Sequence, residues 1–321
     1  MATSGAYAKG LHDLGDGCWA WLQPDGSWGL SNAGLVVDGD QSLLVDTLFD
    51  LPLTREMLVA MGDAAPAARQ IDVLVNTHAN GDHCYGNELV AGATIVASKA
   101  CAEEMEALPP SAMVALLENA DALGEAGAFF REVFGAFEFD GITLTPPTQT
   151  FEGRTSLRVG DKQVELIEVG PAHTRGDVLV HVPEDGVVFT GDILFVDGHP
   201  IIWEGPIGNW LRACDTILAM GARSIVPGHG PLTDVAGVRA LREYLVVLER
   251  EARRRYEAGM PLREAMRDIA LEDFARGDGE RIAVNVATLY REFGDPAPPP
   301  SPIELFAWMA ELRRAAKGSA R

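Results

Sequence analysis

Thr77-His78-Ala79-Asn80-Gly81-Asp82-His83 sets two imidazoles and a carboxylate within six residues. Those side chains can turn toward one point. Together they are borderline-to-hard ligands suited to Zn, Fe or Mn. The segment follows Ile71–Asn76, apolar except at Asp72 and Asn76, the pattern of a strand buried on both faces. Three later segments repeat the arrangement: Gly170-Pro171-Ala172-His173-Thr174-Arg175-Gly176-Asp177, Phe189-Thr190-Gly191-Asp192 and Val226-Pro227-Gly228-His229-Gly230-Pro231. Each is an apolar run followed by a glycine-containing turn that carries a metal-competent side chain. Glycine lets the chain turn tightly and approach a site, and loops at strand ends present side chains into a crevice. A lone histidine after a strand is usually a hydrogen-bonded structural residue. Four such groups in order point to a metal centre.

The elements that must position these turns are read from periodicity. Cys18–Leu22, Ala33–Val37 and Ser42–Val45 read as short strands, and Leu51–Met61 has helical spacing. Ala93–Ala97, Gln163–Val169, Val178–Val182, Val187–Thr190 and Ser224–Pro227 are further strand candidates. Helices are expected at Trp210–Met220, Val235–Tyr256, Leu262–Ala270 and Ile282–Phe293. Residues 100–140 carry apolar side chains at helical intervals, broken by Pro109-Pro110, and read as two or three helices. Phe129, Phe130, Phe134, Phe137 and Phe139 end this insertion, either as core or as an apolar wall over a pocket.

The expected organisation is an α/β sandwich over residues 1–235, with an inserted helical segment near 100–140. A helical extension covers 236–294, a stiff Pro-rich linker 295–302, and a terminal amphipathic helix 303–321. That helix carries Ile303, Phe306, Met309 and Leu312, and either docks on its own domain or makes a homodimer contact.

The four turns together resemble the metallo-β-lactamase-fold hydrolase superfamily, in particular its glyoxalase II-like and lactonase-like small-molecule branches. The resemblance runs over about residues 18–235. It follows the order HxHxDH, His, Asp, GHG-type His, and implies a four-layer αββα sandwich. It implies that His78 and His173 belong to one metal site. Asp82, His83 and His229 belong to a second, and Asp192 bridges the two. One or two Zn ions are the implied cofactor, with Fe or Mn as alternatives.

Asn80 departs from that pattern, standing where the second histidine belongs. Asn is a weak neutral ligand through its carbonyl oxygen, or a hydrogen-bond partner of a ligand. Three fillings are open: the first site alone, the second alone, or both with the first weaker. His78, His173 and Asp192 form a two-His-one-carboxylate set, common for non-haem Fe(II). The resemblance extends to mono-iron sulfur dioxygenases using these positions.

The expected activity is therefore hydrolysis of a small ester, lactone, thioester or amide by metal-bound hydroxide, with Asp82 catalytic as ligand or proton shuttle. A mono-iron redox or other non-hydrolytic enzyme is the alternative, and a metal-poor binding relative a further one. GxSxG, Walker A and HExxH motifs are absent. Cys84, beside His83, reads as a packing thiol before a nucleophile. Tyr85, Arg175, His199, Trp203 and Trp210 are candidates for the substrate pocket. His12 and His181 carry no motif.

The chain holds 47 acidic against 26 basic residues over 321 positions, a formal charge of −21. Such a surface repels phosphate backbones and anionic lipid, so neither nucleic acid nor membrane is an expected partner. A small-molecule substrate is. Met1 to Gly17 lacks an apolar signal core, and Cys18, Cys84, Cys101 and Cys214 lack CxxC spacing. Free thiols and a cytoplasmic location are the expectation.

Overall fold

Short apolar runs alternating with Gly and Asp turns pack here as two sheets. The computed structural model describes residues 7–271, 274 and 277–319. The first sheet takes seven strands in sequence order: β1 (Gly10–Gly15), β2 (Cys18–Leu22), β3 (Ala33–Asp38), β4 (Gln41–Val45), β5 (Val73–Val75), β6 (Thr94–Ser98) and β7 (Gln149–Phe151). It is antiparallel through β4 and parallel from there. Helix α1 (Leu51–Ala64) connects β4 to β5. The short α2 (Gly81–Cys84) follows β5, and α3 (Lys99–Met105), α4 (Pro110–Glu118) and α5 (Gly124–Phe134) fill the insertion before β7.

The second sheet has the order β12-β11-β10-β9-β8. Its strands are β8 (Arg154–Val159), β9 (Lys162–Glu168), β10 (Val178–Val182), β11 (Val187–Phe189) and β12 (Ser224–Val226). Only β11 and β12 run parallel, joined through α6 (Ile207–Met220). Helices α7 (Val235–Glu257), α8 (Leu262–Asp268), α9 (Ile282–Phe293) and α10 (Pro302–Ser319) follow.

Alternation along the strands sets the layers. Cys18, Ala20, Val36, Leu43 and Val45 face Val164, Leu166, Val178 and Val180 between the sheets. Leu35, Leu44, Leu74 and Ile95 point the other way, onto Met57 and Met61 of α1. Leu179, Val188 and Ile225 face Trp210 and Ile217 of α6 and Leu241 and Leu245 of α7. The result is helix–sheet–sheet–helix, the αββα sandwich expected.

Three strands were not expected. β1 and β8 are edge strands, half exposed and mostly polar, with no apolar run to mark them. β7 has only three residues. All four cysteines are free and buried. No described helix is long and apolar enough to cross a membrane.

Helix α10 docks on its own chain. Met309 and Ala310 are buried, Phe306 lies 5.5 Å from the Phe130 ring, and Arg314 makes two 2.6 Å bonds to Glu125. Ile303, placed on the apolar stripe by spacing, is instead exposed.

Candidate metal centre

Each turn at a strand end delivers one part of the site. The chain leaving β5 presents His78, and α2 turns Asp82 and His83 to the same side. The loop after β9 carries His173, the turn after β11 carries Asp192, and the turn after β12 carries His229. Glycine is required at two of these turns. Gly191 is left-handed (φ +50°), with Thr77 where a Cβ would go. A Cβ on Gly228 would land on Asp192 Oδ1. Asn32 pins the last turn by donating to the carbonyls of Pro227 at 3.0 Å and Gly230 at 2.8 Å.

Asp192 is the hub. His83 Nε2 lies 3.1 Å from its Oδ1. His173, His229 and His78 Nε2 lie 3.3, 3.4 and 3.8 Å from its Oδ2. Asp82 Oδ2 is 3.4 Å from His229 Nε2. The ligand atoms of His78, His83 and Asp192 lie within 4.8 Å of one another, as do those of Asp82, His83 and His229. His83 thus stands between the two groups, and His173 approaches through Asp192.

The outer nitrogens fix which way the lone pairs point. His173 Nδ1 pairs with the Ile201 carbonyl at 2.7 Å, and His229 Nδ1 with the Gly26 carbonyl at 3.1 Å. A carbonyl only accepts, so each Nδ1 carries the proton. His83 Nδ1 donates to Asp46 Oδ2 at 2.9 Å. Thr77 Oγ1 gives its one proton to Asp46 at 2.7 Å, and so accepts from His78 Nδ1 at 3.0 Å. All four rings therefore turn Nε2 inward. Among the described residues, Nε2 of His78, His83 and His173 and Oδ1 of Asp192 are buried and make no aligned hydrogen bond, although His83 and Asp192 stand only 3.1 Å apart. Buried polar atoms left in that state are costly unless a further group completes them. A converging set of orphaned imidazole nitrogens and a carboxylate fits a metal ion.

Burial holds His78 and His173 below the ordinary histidine range, so both are neutral near pH 7. Burial opposes the charge on His229 too, but Asp192 and Asp82 outweigh it and raise this ring to about 9. His83 is raised in the same way, burial being overcome by Asp192, Asp46 and Asp82. Asp192 is held low: burial opposes its charge, and the surrounding histidines more than compensate.

The cluster forms the floor of a cavity of about 370 Å³. Asp82, His173, Asp192 and His229 line it, with Asn80 half-buried beside them. Its walls are apolar: Trp28, Phe49, Phe130, Phe134, Phe195 and Phe306. Tyr85 and Trp203, expected in the pocket, line it. Arg175 does not: its side chain is exposed and 3.7 Å from Glu103, while its backbone N–H reaches Glu104. His199 lies outside the lining, bonded through Nδ1 to the Tyr244 hydroxyl at 2.8 Å. Its seven-residue spacing from Asp192 does not bring it to the site, because the chain bends away at Val196 and Asp197 (φ +64°). Trp210 is fully buried behind His173, edge to face at 5.9 Å. Cys84 is buried, its thiol pushed well up by that burial. His12 Nε2 meets the Ala8 carbonyl, and His181 lies 3.5 Å from Glu165, both away from the centre.

Sequence reading missed Asp46, Phe195 and Arg281. Asp46 follows the apolar strand β4 as Asp192 follows β11, but with no histidine or glycine turn beside it to set it apart from an ordinary turn aspartate. Phe195 stacks parallel on His229 at 5.1 Å. Arg281 lies over Trp28 at 4.5 Å, and bonds the His199 carbonyl. A second groove, of about 490 Å³, lies over α1 and includes Asp63 and Arg69, away from the cluster.

Four inward-facing imidazoles and two carboxylates at the strand ends of an αββα sandwich define a metallo-β-lactamase-type protein. Residues 26–229 match the Metallo-beta-lactamase superfamily, and the chain belongs to that family. It is 26% identical over 230 residues to acyl-coenzyme A thioesterase MBLAC2 of Homo sapiens, covering 67% of this chain and 79% of that protein. A shorter stretch of 102 residues is 32% identical to the probable hydroxyacylglutathione hydrolase glo2 of Schizosaccharomyces pombe, covering 30% of this chain and 38% of that one. Among solved structures, a metallo-beta-lactamase from Pontibacter korlensis aligns with TM-score 0.54 and 20% identity, over 74% of this chain and 99% of that one. The sec-alkylsulfatase Pisa1 from Pseudomonas aligns with TM-score 0.66 and 16% identity, over 92% of this chain and 53% of that one. These two likenesses establish the fold alone.

Proposed function

We propose that the chain is a metal-dependent hydrolase of a small acyl compound, an ester, lactone, thioester or amide, with thioesters the first class to test. The observation that carries this is the set of Nε2 atoms and carboxylates pointed at one place on the cavity floor. The names of the thioesterase and hydroxyacylglutathione hydrolase relatives support the thioester choice.

A divalent metal held by His78, His83, His173, His229, Asp82 and Asp192 would supply Lewis acidity, lowering the pKa of water and polarising a carbonyl. The chain supplies the rest. Asp82 borders the cavity beside His229 and is the group placed to take a proton from water and return it to a leaving atom. Asp46 and Thr77 hold His83 and His78 in their required tautomers. Trp28, Phe195 and Phe306 keep bulk water from the floor.

A second reading has its own observation. His173 and His78 both approach Oδ2 of Asp192, the two-His-one-carboxylate set common for mono-iron sites, and Asn80 rather than a further imidazole lines the cavity beside His173. Elemental analysis of protein purified without added metal separates the two readings. Two zincs support hydrolysis, and one iron supports the alternative. Asp82→Ala is expected to abolish hydrolysis of a thioester, ester and lactone panel while circular dichroism is unchanged. Retained turnover places the catalytic centre elsewhere. A metal-loaded protein that turns over none of the panel overturns the hydrolase reading.

A further inference from the structure

The cavity wall opposite the metal cluster is built by segments far apart in sequence. Phe130 and Phe134 come from α5, Met113 and Leu116 from α4, Phe49 from the turn after β4, and Phe306 from α10. Phe306 is the keystone among them: its ring lies 5.5 Å from Phe130, 6.2 Å from Trp28 and 6.3 Å from Phe134. Pro302, the first residue of α10, also lines the cavity. The terminal helix thus closes the space, and is tied down on its far side by Arg314–Glu125 and Lys317–Glu132.

Resting on the hydrolase reading above, we propose that this enclosed wall is an acyl pocket. It takes an unbranched apolar chain of medium length, or a phenyl ring, and Phe306 sets the upper limit of size. The walls carry the chemistry of a hydrocarbon site. Of the charged groups on the lining, Arg281 lies over Trp28 with its guanidinium engaged by the His199 carbonyl and Asp278, and Glu104 accepts from the Arg175 N–H. A volume of about 370 Å³ holds roughly a dozen non-hydrogen atoms at ~30 Å³ each. The reacting carbonyl, the attacking oxygen and the leaving atom use about a third of that space. The remaining space, roughly eight atoms, makes octanoyl, with seven carbons beyond its carbonyl, the longest even chain that fits, and hexanoyl fits inside it.

The test compares acetyl, butanoyl, hexanoyl, octanoyl, decanoyl and dodecanoyl thioesters on the full-length, metal-loaded protein. Expected kcat/KM rises roughly fourfold per added methylene up to hexanoyl or octanoyl, the gain of burying each in an apolar site, and then falls. Phe306→Ala is expected to move the optimum to decanoyl or dodecanoyl, and Phe306→Trp to move it to butanoyl. Arg314→Ala removes an exposed ion pair of small worth while Met309, Ala310 and Phe306 keep the helix docked, so the order of substrates should be unchanged. Calorimetric binding of butanoate through dodecanoate to the same proteins reads the pocket without turnover. If no thioester is hydrolysed but the carboxylates still bind with this length preference, the hydrolase reading fails and the pocket stands. An optimum at acetyl, or a Phe306 series that scales all lengths equally in turnover and binding, overturns the pocket.

Discussion

At the residue scale the site turns on Asn80 and on the protons the metal must replace. Asn80 lines the cavity beside Asp82 and His173, and an imidazole is a stronger metal ligand than an amide oxygen. Asn80→His is therefore expected to raise metal stoichiometry or tighten binding by about tenfold or more, read by elemental analysis and competition with a chelator. Equal content and affinity in both proteins would mean that position 80 does not touch the metal. Proton competition gives a second expectation. His229 sits at about 9 without metal, so below that pH its Nε2 carries a proton that a metal must displace. His83, also raised, acts in the same direction. Apparent affinity should fall as pH drops from 9 to 7, by up to about tenfold per unit for each proton released, and the share due to His229 should level off above 9. Calorimetry in buffers of different ionisation enthalpy counts those protons, and a pH-independent affinity refutes the assignment. The ligand types were legible because histidine is scarce in this chain and four of its seven copies follow strands. Asp46 was not, because a strand-end aspartate is also an ordinary turn residue. Its role lies in three hydrogen bonds that only the fold creates.

At the scale of elements, the C-terminal helices hold the site as well as covering it. Every residue of α9 from Ile282 to Tyr290 is buried. Asn285 accepts from the Ile202 N–H at 2.7 Å and donates to the Pro200 carbonyl at 2.9 Å, while Thr288 donates to the Ile202 carbonyl at 2.7 Å. Those bonds fix the loop whose Ile201 carbonyl sets the tautomer of His173. Asn285→Leu keeps the volume but leaves a buried N–H and carbonyl unpartnered, a cost of about 1–3 kcal/mol each. Metal affinity should fall roughly 10–100-fold, the usual range for losing a group that orients a ligand. A lower melting temperature with unchanged metal affinity would show that the loop holds His173 without α9. None of this was legible beforehand. Periodicity marks α9 as a helix at Ile282–Phe293, but not which loop its polar side chains meet. Central strands such as Val178–Val182 were legible because burial on both faces demands an unbroken apolar run. The edge strands β1 and β8 escaped because one-sided pairing asks so little of their side chains.

At the scale of the whole molecule, the charge of −21 acts on whatever approaches the cavity. Glu104 adds a carboxylate on the lining, and Arg281 is neutralised locally by Asp278 at 3.3 Å. A leaving group that carries phosphates therefore meets repulsion on approach, and the one arginine on the described lining, Arg281, is already paired with Asp278. The same acyl group on uncharged N-acetylcysteamine avoids that penalty. The expected result is that octanoyl-N-acetylcysteamine reacts with kcat/KM at least equal to that of octanoyl-coenzyme A at low salt. Added salt shortens the screening distance from about 30 Å at 0.01 M to about 8 Å at 0.15 M. The coenzyme A substrate should accordingly gain in kcat/KM as salt rises, while the neutral thioester stays flat. Stopped-time thiol release across that salt range measures both. A coenzyme A thioester that is preferred at low salt and weakened by salt would require a cationic surface that binds its phosphates, and would reverse this reading of the charge.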